Sequence, residues 1–167
     1  GISDTHEANL WKSDVAKMLK WSNDGGPFGT TMYAGSPEHV IRVFSTNPLK
    51  VPNKALSKIG VIVIVDAIST GGRSVSRRVR ELALVVPEKS GKPKLITLVG
   101  WEPDLDQYNF MDSQLAISNL SKHLKLDIDE LESEINRLRR RLEAWITIGT
   151  STTSEVRKAV NKYYINQ

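Results

Sequence analysis

The chain predicts an α+β (or α/β) fold with a small central sheet, and three observations carry that expectation. The run from Ile59 to Ile68 is almost entirely apolar and β-branched, the composition of a strand covered on both faces. Apolar residues recur at steps of three and four near the N-terminus and throughout the last third, which is helical spacing. With 167 residues, 40% hydrophobic and 25% charged, the chain lies in the globular range and is long enough for one compact domain without staples. One domain over 1–167 is expected: an N-terminal helix over 1–26, a sheet-containing core over 27–101 and a helical region over 112–167.

Taken in order, an amphipathic helix is expected from about Asp4 to Asn23, with Ser3 as its N-cap and Trp11, Val15, Met18 and Trp21 on its apolar side. Asp24-Gly25-Gly26-Pro27 then ends it. The segment His39 to Ser45 reads as an alternating strand, and Asn47 to Asn53, with two prolines, as a connector. Ile59 to Ile68 is the expected central strand. After it, Val75, Val79, Leu82, Ala83 and Val86 fall at helical spacing and predict a helix stopped by Pro87. The runs Glu81 to Pro87 and Lys94 to Gly100 also read as the two arms of a β-hairpin around the loop that contains Gly91, and Lys94 to Trp101 is a strand on either reading.

From Asp112 to about Leu124 a helix carries Ile117, Leu120 and Leu124 on one face. Asp127 and Glu130 then form a capping-box pair that opens the clearest helix of the chain. Ile128, Leu131, Ile135, Leu138, Leu142 and Trp145 follow at alternating steps of three and four, a short heptad seam suited to self-association. Glu134 could meet Arg139 across a parallel pair of such helices, whereas Glu132 with Arg139 or Glu134 with Arg141 would meet across an antiparallel pair. Thr152 and Glu155 repeat the capping-box spacing ahead of a last helix through Val156 and Val160.

Composition excludes several chemistries. Without cysteine there is no disulfide framework, no thiolate nucleophile and no cysteine-based zinc site, which suits an intracellular, cytoplasmic setting. The apolar run Ile59 to Val65 is far shorter than the roughly 20 residues that span a bilayer, so no transmembrane insertion is expected. His6, His39 and His123 lack ligand spacing and read as surface or capping residues, with no metal or cofactor expected. The acidic run Glu102, Asp104, Asp106 and Asp112 reads as a solvated loop, with cation binding as the alternative.

Charge is segmented by sign. An acidic block over 101–136 with net charge −7 separates basic blocks of +4 over 66–94 and +5 over 137–167. Within the first basic block Arg73, Arg77, Arg78, Arg80, Lys89, Lys92 and Lys94 oppose only Asp66, Glu81 and Glu88, a balance suited to phosphates of RNA or of an acidic phospholipid surface. On a helix, Arg73, Arg77 and Arg80 would share a face. No aromatic residue is interleaved with them, so base stacking is not signalled.

One stretch points elsewhere. In Gly60 to Ser74, Val61 to Ile64 form an apolar strand leading to Asp66, Ile68 and the turn Ser69-Thr70-Gly71-Gly72. This arrangement resembles the PRPP-binding loop of type I phosphoribosyltransferases. The resemblance implies that Asp66 would hold ribose hydroxyls while Thr70, Gly71 and Gly72, at the start of a helix, would cradle a 5-phosphate. It departs from the family at Val65, where the first of two acids would stand, and at Ala67, where a larger aliphatic is usual.

The expectation that follows is a non-enzymatic, basic binding and assembly protein. It would form homo-oligomers through the heptad helix and meet RNA or an anionic membrane through its cations, as in a viral matrix-like or nucleoprotein-associated structural role. A PRPP-binding enzyme or degenerate regulator built on 61–74 is the alternative.

Overall fold

A computed structural model describes residues 13–23, 29–69, 75–111 and 113–165 of the chain. The fold is mixed α+β: six helices and four strands among the described residues, with every strand pairing antiparallel. The chain divides into two compact units, Gly1–Ala116 and Ile117–Gln167.

The first unit is built on a meander in the order β1-β2-β3-β4, comprising β1 (Val61–Ser69), β2 (Val75–Pro87), β3 (Pro93–Glu102) and β4 (Gln107–Phe110). Helices α1 (Ser13–Asn23), α2 (Pro37–Ser45) and α3 (Asn53–Leu56) supply the apolar side chains that meet one face of the sheet. Val15 and Leu19 of α1, Val40 and Phe44 of α2, and Leu56 of α3 form one buried cluster with Ile62, Ile64 and Val85. Each such side chain contributes about 1.5–3 kcal/mol through burial. The expected apolar side of α1 is present at Val15 and Met18, whereas Trp21 is exposed. Ser3, the start of that helix and its Asp24–Pro27 stop lie outside the described residues.

Three expectations are corrected here. His39 to Ser45 is helical, not extended. Ser36 is the N-cap and accepts the His39 N–H at 3.1 Å, Pro37 occupies the first turn, and Pro37, Val40 and Phe44 are buried at helical spacing. These start signals lie just upstream of the apparent alternation and outweigh it. The connector behind α2 also belongs to the core: the Val51 N–H donates to the Phe44 carbonyl at 2.8 Å, and Leu49 and Val51 are buried.

The second correction concerns Val75 to Val86, which is strand β2 and not a helix. Its partners are 6 to 23 residues away, Val61–Ser69 on one side and Pro93–Gly100 on the other. That pairing is non-local and leaves no trace in helical periodicity. The hairpin reading is the one realised: Gly91 N–H donates to the Glu88 carbonyl at 2.9 Å, with Gly91 at φ +77°, the left-handed conformation a glycine accepts without strain.

Third, the strand beginning near Ile59 is an edge, not the centre. β1 alternates, with Ile62 and Ile64 buried and Val61, Val63 and Val65 about half exposed. The most enclosed strand is β2, where Ala83, Leu84 and Val85 are completely buried. A β-branched composition fits a half-covered edge as well as a covered centre, so composition could not separate them.

The second unit holds most of α4 (Ser113–Leu124), with α5 (Ile128–Thr147) and α6 (Thr153–Ile165). α4 closes where the Ser121 hydroxyl donates to the Leu126 carbonyl at 2.7 Å. Asp127 caps α5 as expected, accepting the Asp129 N–H at 2.9 Å. The expected capping box of α6 is also present: the Glu155 carboxylate accepts the Thr152 N–H at 2.9 Å, and Glu155 N–H donates back to the Thr152 hydroxyl at 3.3 Å. The Thr152 amide first, then the Ser151 amide and the Thr152 hydroxyl, hold the Glu155 carboxyl below its ordinary pKa.

Candidate anion-contact and self-association surfaces

Because β2 is extended, its arginines are distributed in a way the helical reading did not foresee. Arg78 pairs in register with Asp66 on β1, but its guanidinium crosses to the β3–β4 turn. There its Nε and Nη2 donate to the two oxygens of Asp106 at 3.0 and 3.1 Å. Trp101 Nε1 donates to the same carboxylate at 2.9 Å. The Arg78 guanidinium first, and the Trp101 indole second, hold the Asp106 carboxyl below its ordinary pKa, and Asp106 in turn raises that of Arg78.

Arg80 stands where the β1–β2 register shifts, between the pairs Ile64↔Glu81 and Val65↔Val79, and is the extra residue of a bulge. From there its Nη1 lies 3.2 Å from Asp66 Oδ2. Arg77 is exposed, and Arg73 lies outside the described residues. Of the three described arginines two are therefore engaged by acids of their own sheet.

The lysines form a separate group. Nine residues of strand, about 30 Å at 3.3 Å per residue, separate Arg78 from Pro87, so Lys89, Lys92 and Lys94 cannot act with the arginines as one compact patch. At the β2–β3 turn they acquire different neighbours. The Ser57 hydroxyl, itself buried, donates to the Gly91 carbonyl at 3.3 Å and to the Asn53 carbonyl at 3.0 Å. This contact joins α3 and the turn, and brings Lys54 and Lys58 to the end of the sheet that carries Lys89, Lys92 and Lys94. All five are exposed, and among the described residues none is in an ion pair. Lys54 and Lys58 were not singled out from sequence; the available signal was the net charge of +3 over residues 25–65, which lacked a location until α3 met the hairpin.

The phosphate cradle loses its structural premise. Thr70, Gly71 and Gly72 lie outside the described residues, but the element that follows them is β2, paired back on β1 from Val75↔Ser69 onward. No helix begins at Val75 to direct N–H groups at a phosphate, and the Asp66 carboxylate is engaged by Arg80. His39, expected as a surface or capping residue, accepts the Gly35 N–H at Nδ1, 3.3 Å away, just ahead of α2.

On α5 the seam is largely open. Leu131 is 3% exposed, whereas Ile135, Leu138 and Leu142 are 39, 40 and 54% exposed, Ile128 is also exposed, and Trp145 is partly covered. One flank is taken by α6: Tyr163 Oη donates to Glu134 Oε1 at 2.8 Å and accepts from Arg137 Nη2 at 2.6 Å. Arg137 also grips Glu134 through two bonds of 2.8 Å, and the guanidinium carbons of Arg137 and Arg141 lie 5.0 and 5.5 Å from the centre of the Tyr163 ring. Arg137 first and Tyr163 second hold the Glu134 carboxyl below its ordinary pKa. On the other flank Glu132 and Arg139 are exposed, and among the described residues the one ion pair of Arg139 is with Glu143, at 3.5 Å.

In comparison with known proteins, the chain matches no family model and no curated sequence. Among the described residues, no helix is long and apolar enough to cross a membrane.

Proposed function

We propose that the protein is a non-enzymatic binding and assembly protein that self-associates through α5 and contacts an anionic, phosphate-bearing surface through its lysines. The carrying observation is that α3, with Lys54 and Lys58, contacts the β2–β3 turn beside Lys89, Lys92 and Lys94, and among the described residues none of the five lysines is in an ion pair. Five like charges gathered this way repel one another and gain most from an external polyanion. Each lysine near an acidic bilayer is worth about 1 kcal/mol, a gain lost as salt shortens the Debye length.

An acidic phospholipid surface is the favoured partner over RNA. Lysine is a mobile point charge that matches a field of headgroups, whereas the residues suited to forked phosphate contacts, Arg78 and Arg80, are committed within the sheet. Self-association reinforces the reading, because linked copies convert weak single contacts into avid ones.

The test is co-sedimentation with phosphatidylserine-containing and with purely neutral vesicles across a salt series, alongside a structureless RNA. The chain is expected to bind the acidic vesicles at low salt and lose them as salt rises. A variant with all five lysines changed to Gln should lose most of that binding while unfolding at the same denaturant concentration. Binding that is indifferent to both salt and the five substitutions would overturn the lysine assignment, and tighter binding to RNA than to vesicles would change the partner.

A further inference from the structure

The two copies that self-association requires can run parallel or antiparallel along α5, and the sequence alone permits both. We infer that a second copy of this chain docks on the open α5 seam in the antiparallel sense, with Glu132 of each copy meeting Arg139 of the other. This inference rests on the self-association proposed above and adds its polarity and register.

The contacts of α5 discriminate between the two. With Ile128, Ile135 and Leu142 at a positions and Leu131, Leu138 and Trp145 at d, the g flank carries Asp127, Glu134 and Arg141 and the e flank carries Glu132, Arg139 and Ile146. A parallel pair joins g of one helix to the next e of the other. That would set Asp127 against Glu132, two carboxylates, and would need Glu134 to reach Arg139. Yet Glu134 is already held by Arg137 and Tyr163. The parallel arrangement thus has one repulsive pair and one whose acid must first be released.

An antiparallel pair joins e to e and g to g. The g flank is where Tyr163 sits against Glu134 and Arg141, so the e flank is the accessible one. There Glu132 and Arg139 are both exposed, and Arg139 gives up only a loose bond to Glu143 to change partner. The two-fold axis makes the pair twice.

The apolar layers agree with this register. Ile135 faces Leu138, Leu131 faces Leu142 and Ile128 faces Trp145, so all six seam residues find a partner with none left over. Leu131, already buried in its own chain, adds least, while the exposed Ile135 and Leu138 form the central layers. The acidic first half of α5 also lies along the basic second half of the other copy, which compensates charge and aligns the two helix dipoles head to tail.

The chain has no cysteine, so thiols can be introduced singly without background. Two single variants, Ile128→Cys and Trp145→Cys, are oxidised separately and mixed, while sedimentation of the unmodified full chain reports its association state. The expected result is a dimer that crosslinks only in the mixture, 128 to 145. Crosslinking of each variant with itself would establish the parallel arrangement, overturning this inference and leaving the self-association reading standing. A chain that stays monomeric at every concentration would end both.

A charge exchange tests the register without touching the seam. Glu132→Arg or Arg139→Glu alone should weaken the dimer about tenfold, and the double variant should return to within about twofold of the original. Failure of the double variant to recover would overturn the assigned pair even if the cysteine variants misfold.

Discussion

The two units make opposite uses of the same apolar periodicity. In the first, Val15 and Leu19 of α1, Val40 and Phe44 of α2, and Leu56 of α3 find Ile62, Ile64 and Val85 of the sheet, and all are buried. In the second, the longest and most regular helix leaves Ile135, Leu138, Leu142 and Ile146 exposed, with Leu131 and Tyr163 its buried described side chains. A helical stripe therefore specifies that a face will be covered, but not by what. Where the chain supplies a sheet the stripe becomes core, and where it supplies none the stripe is available to another molecule.

The largest effect expected from this contrast is a difference between two leucines. Leu84→Ala removes a fully buried side chain from β2 and should cost about 2–5 kcal/mol. Leu142→Ala trims an exposed side chain and should change unfolding of the dilute monomer by less than about 0.5 kcal/mol, while weakening association. Urea unfolding at low concentration, paired with sedimentation, separates the two. Equal losses of monomer stability would mean that Leu142 is core, and the contrast between the units would collapse.

A smaller effect comes from the way the second unit is tied together. Tyr163 joins α6 to α5 through its hydroxyl, shared by Glu134 and Arg137, and through its ring, over which Arg137 and Arg141 lie. Tyr163→Phe keeps the ring but leaves both partners one bond short, so a loss of about 1 kcal/mol in helix stability is expected. Circular dichroism during urea unfolding would register it. An unchanged midpoint would show that Glu134 and Arg137 satisfy each other without help, and the g flank would then be less firmly closed than the antiparallel pairing requires.

What was legible in the sequence follows the same physical line. The starts of α5 and α6 could be read because Asp127, Thr152 and Glu155 act on amides two or three residues away. The mixed α+β class, with α/β as its alternative, was legible from helical spacing together with the β-branched run Ile59 to Ile68. The failures lie where distant pairing decided. Val75 to Val86 carries apolar residues at helical steps, but its backbone bonds go to β1 and β3. The rank of β1 as an edge depends on which strand joins last, which its β-branched composition does not encode. His39 to Ser45 was a local failure: Ser36 and Pro37 announced the helix before the apparent alternation began.

The candidate surfaces divide likewise. The residues of the α5 apolar stripe could be named one by one, since periodicity alone defines the stripe, whereas the helical face expected for the arginines was lost once the segment became a strand. Lys54 and Lys58 joined Lys89, Lys92 and Lys94 only through Ser57 and Gly91, a contact spanning 34 residues. No local pattern records it.

The smallest expected effect concerns acid. The Asp106 carboxyl has a depressed pKa because Arg78 and then Trp101 donate to its ionised form, and the Glu155 carboxyl of the second unit has one because backbone amides do. A depressed folded pKa adds stability that is complete above the unfolded carboxyl value, about 4, and disappears as pH falls through the lower folded value. Both units should therefore lose stability on the acid side of that range, by modest amounts since both carboxylates are exposed. Asp106→Asn, which suits the φ of +46° at that position, should flatten this acid limb for the first unit alone. Glu155→Gln should make it shallower for the second alone, leaving the part that the depressed pKa of Glu134 contributes. Denaturant midpoints measured at successive pH values would follow the two separately, with a variant in which Trp11, Trp21 and Trp145 are Phe reporting the sheet through Trp101 fluorescence, and circular dichroism, carried mostly by α4, α5 and α6, reporting the second unit. If either substitution flattened both limbs, the units would be unfolding as one, and the contrast between a closed sheet unit and an open helical one would have to be redrawn as a single cooperative domain.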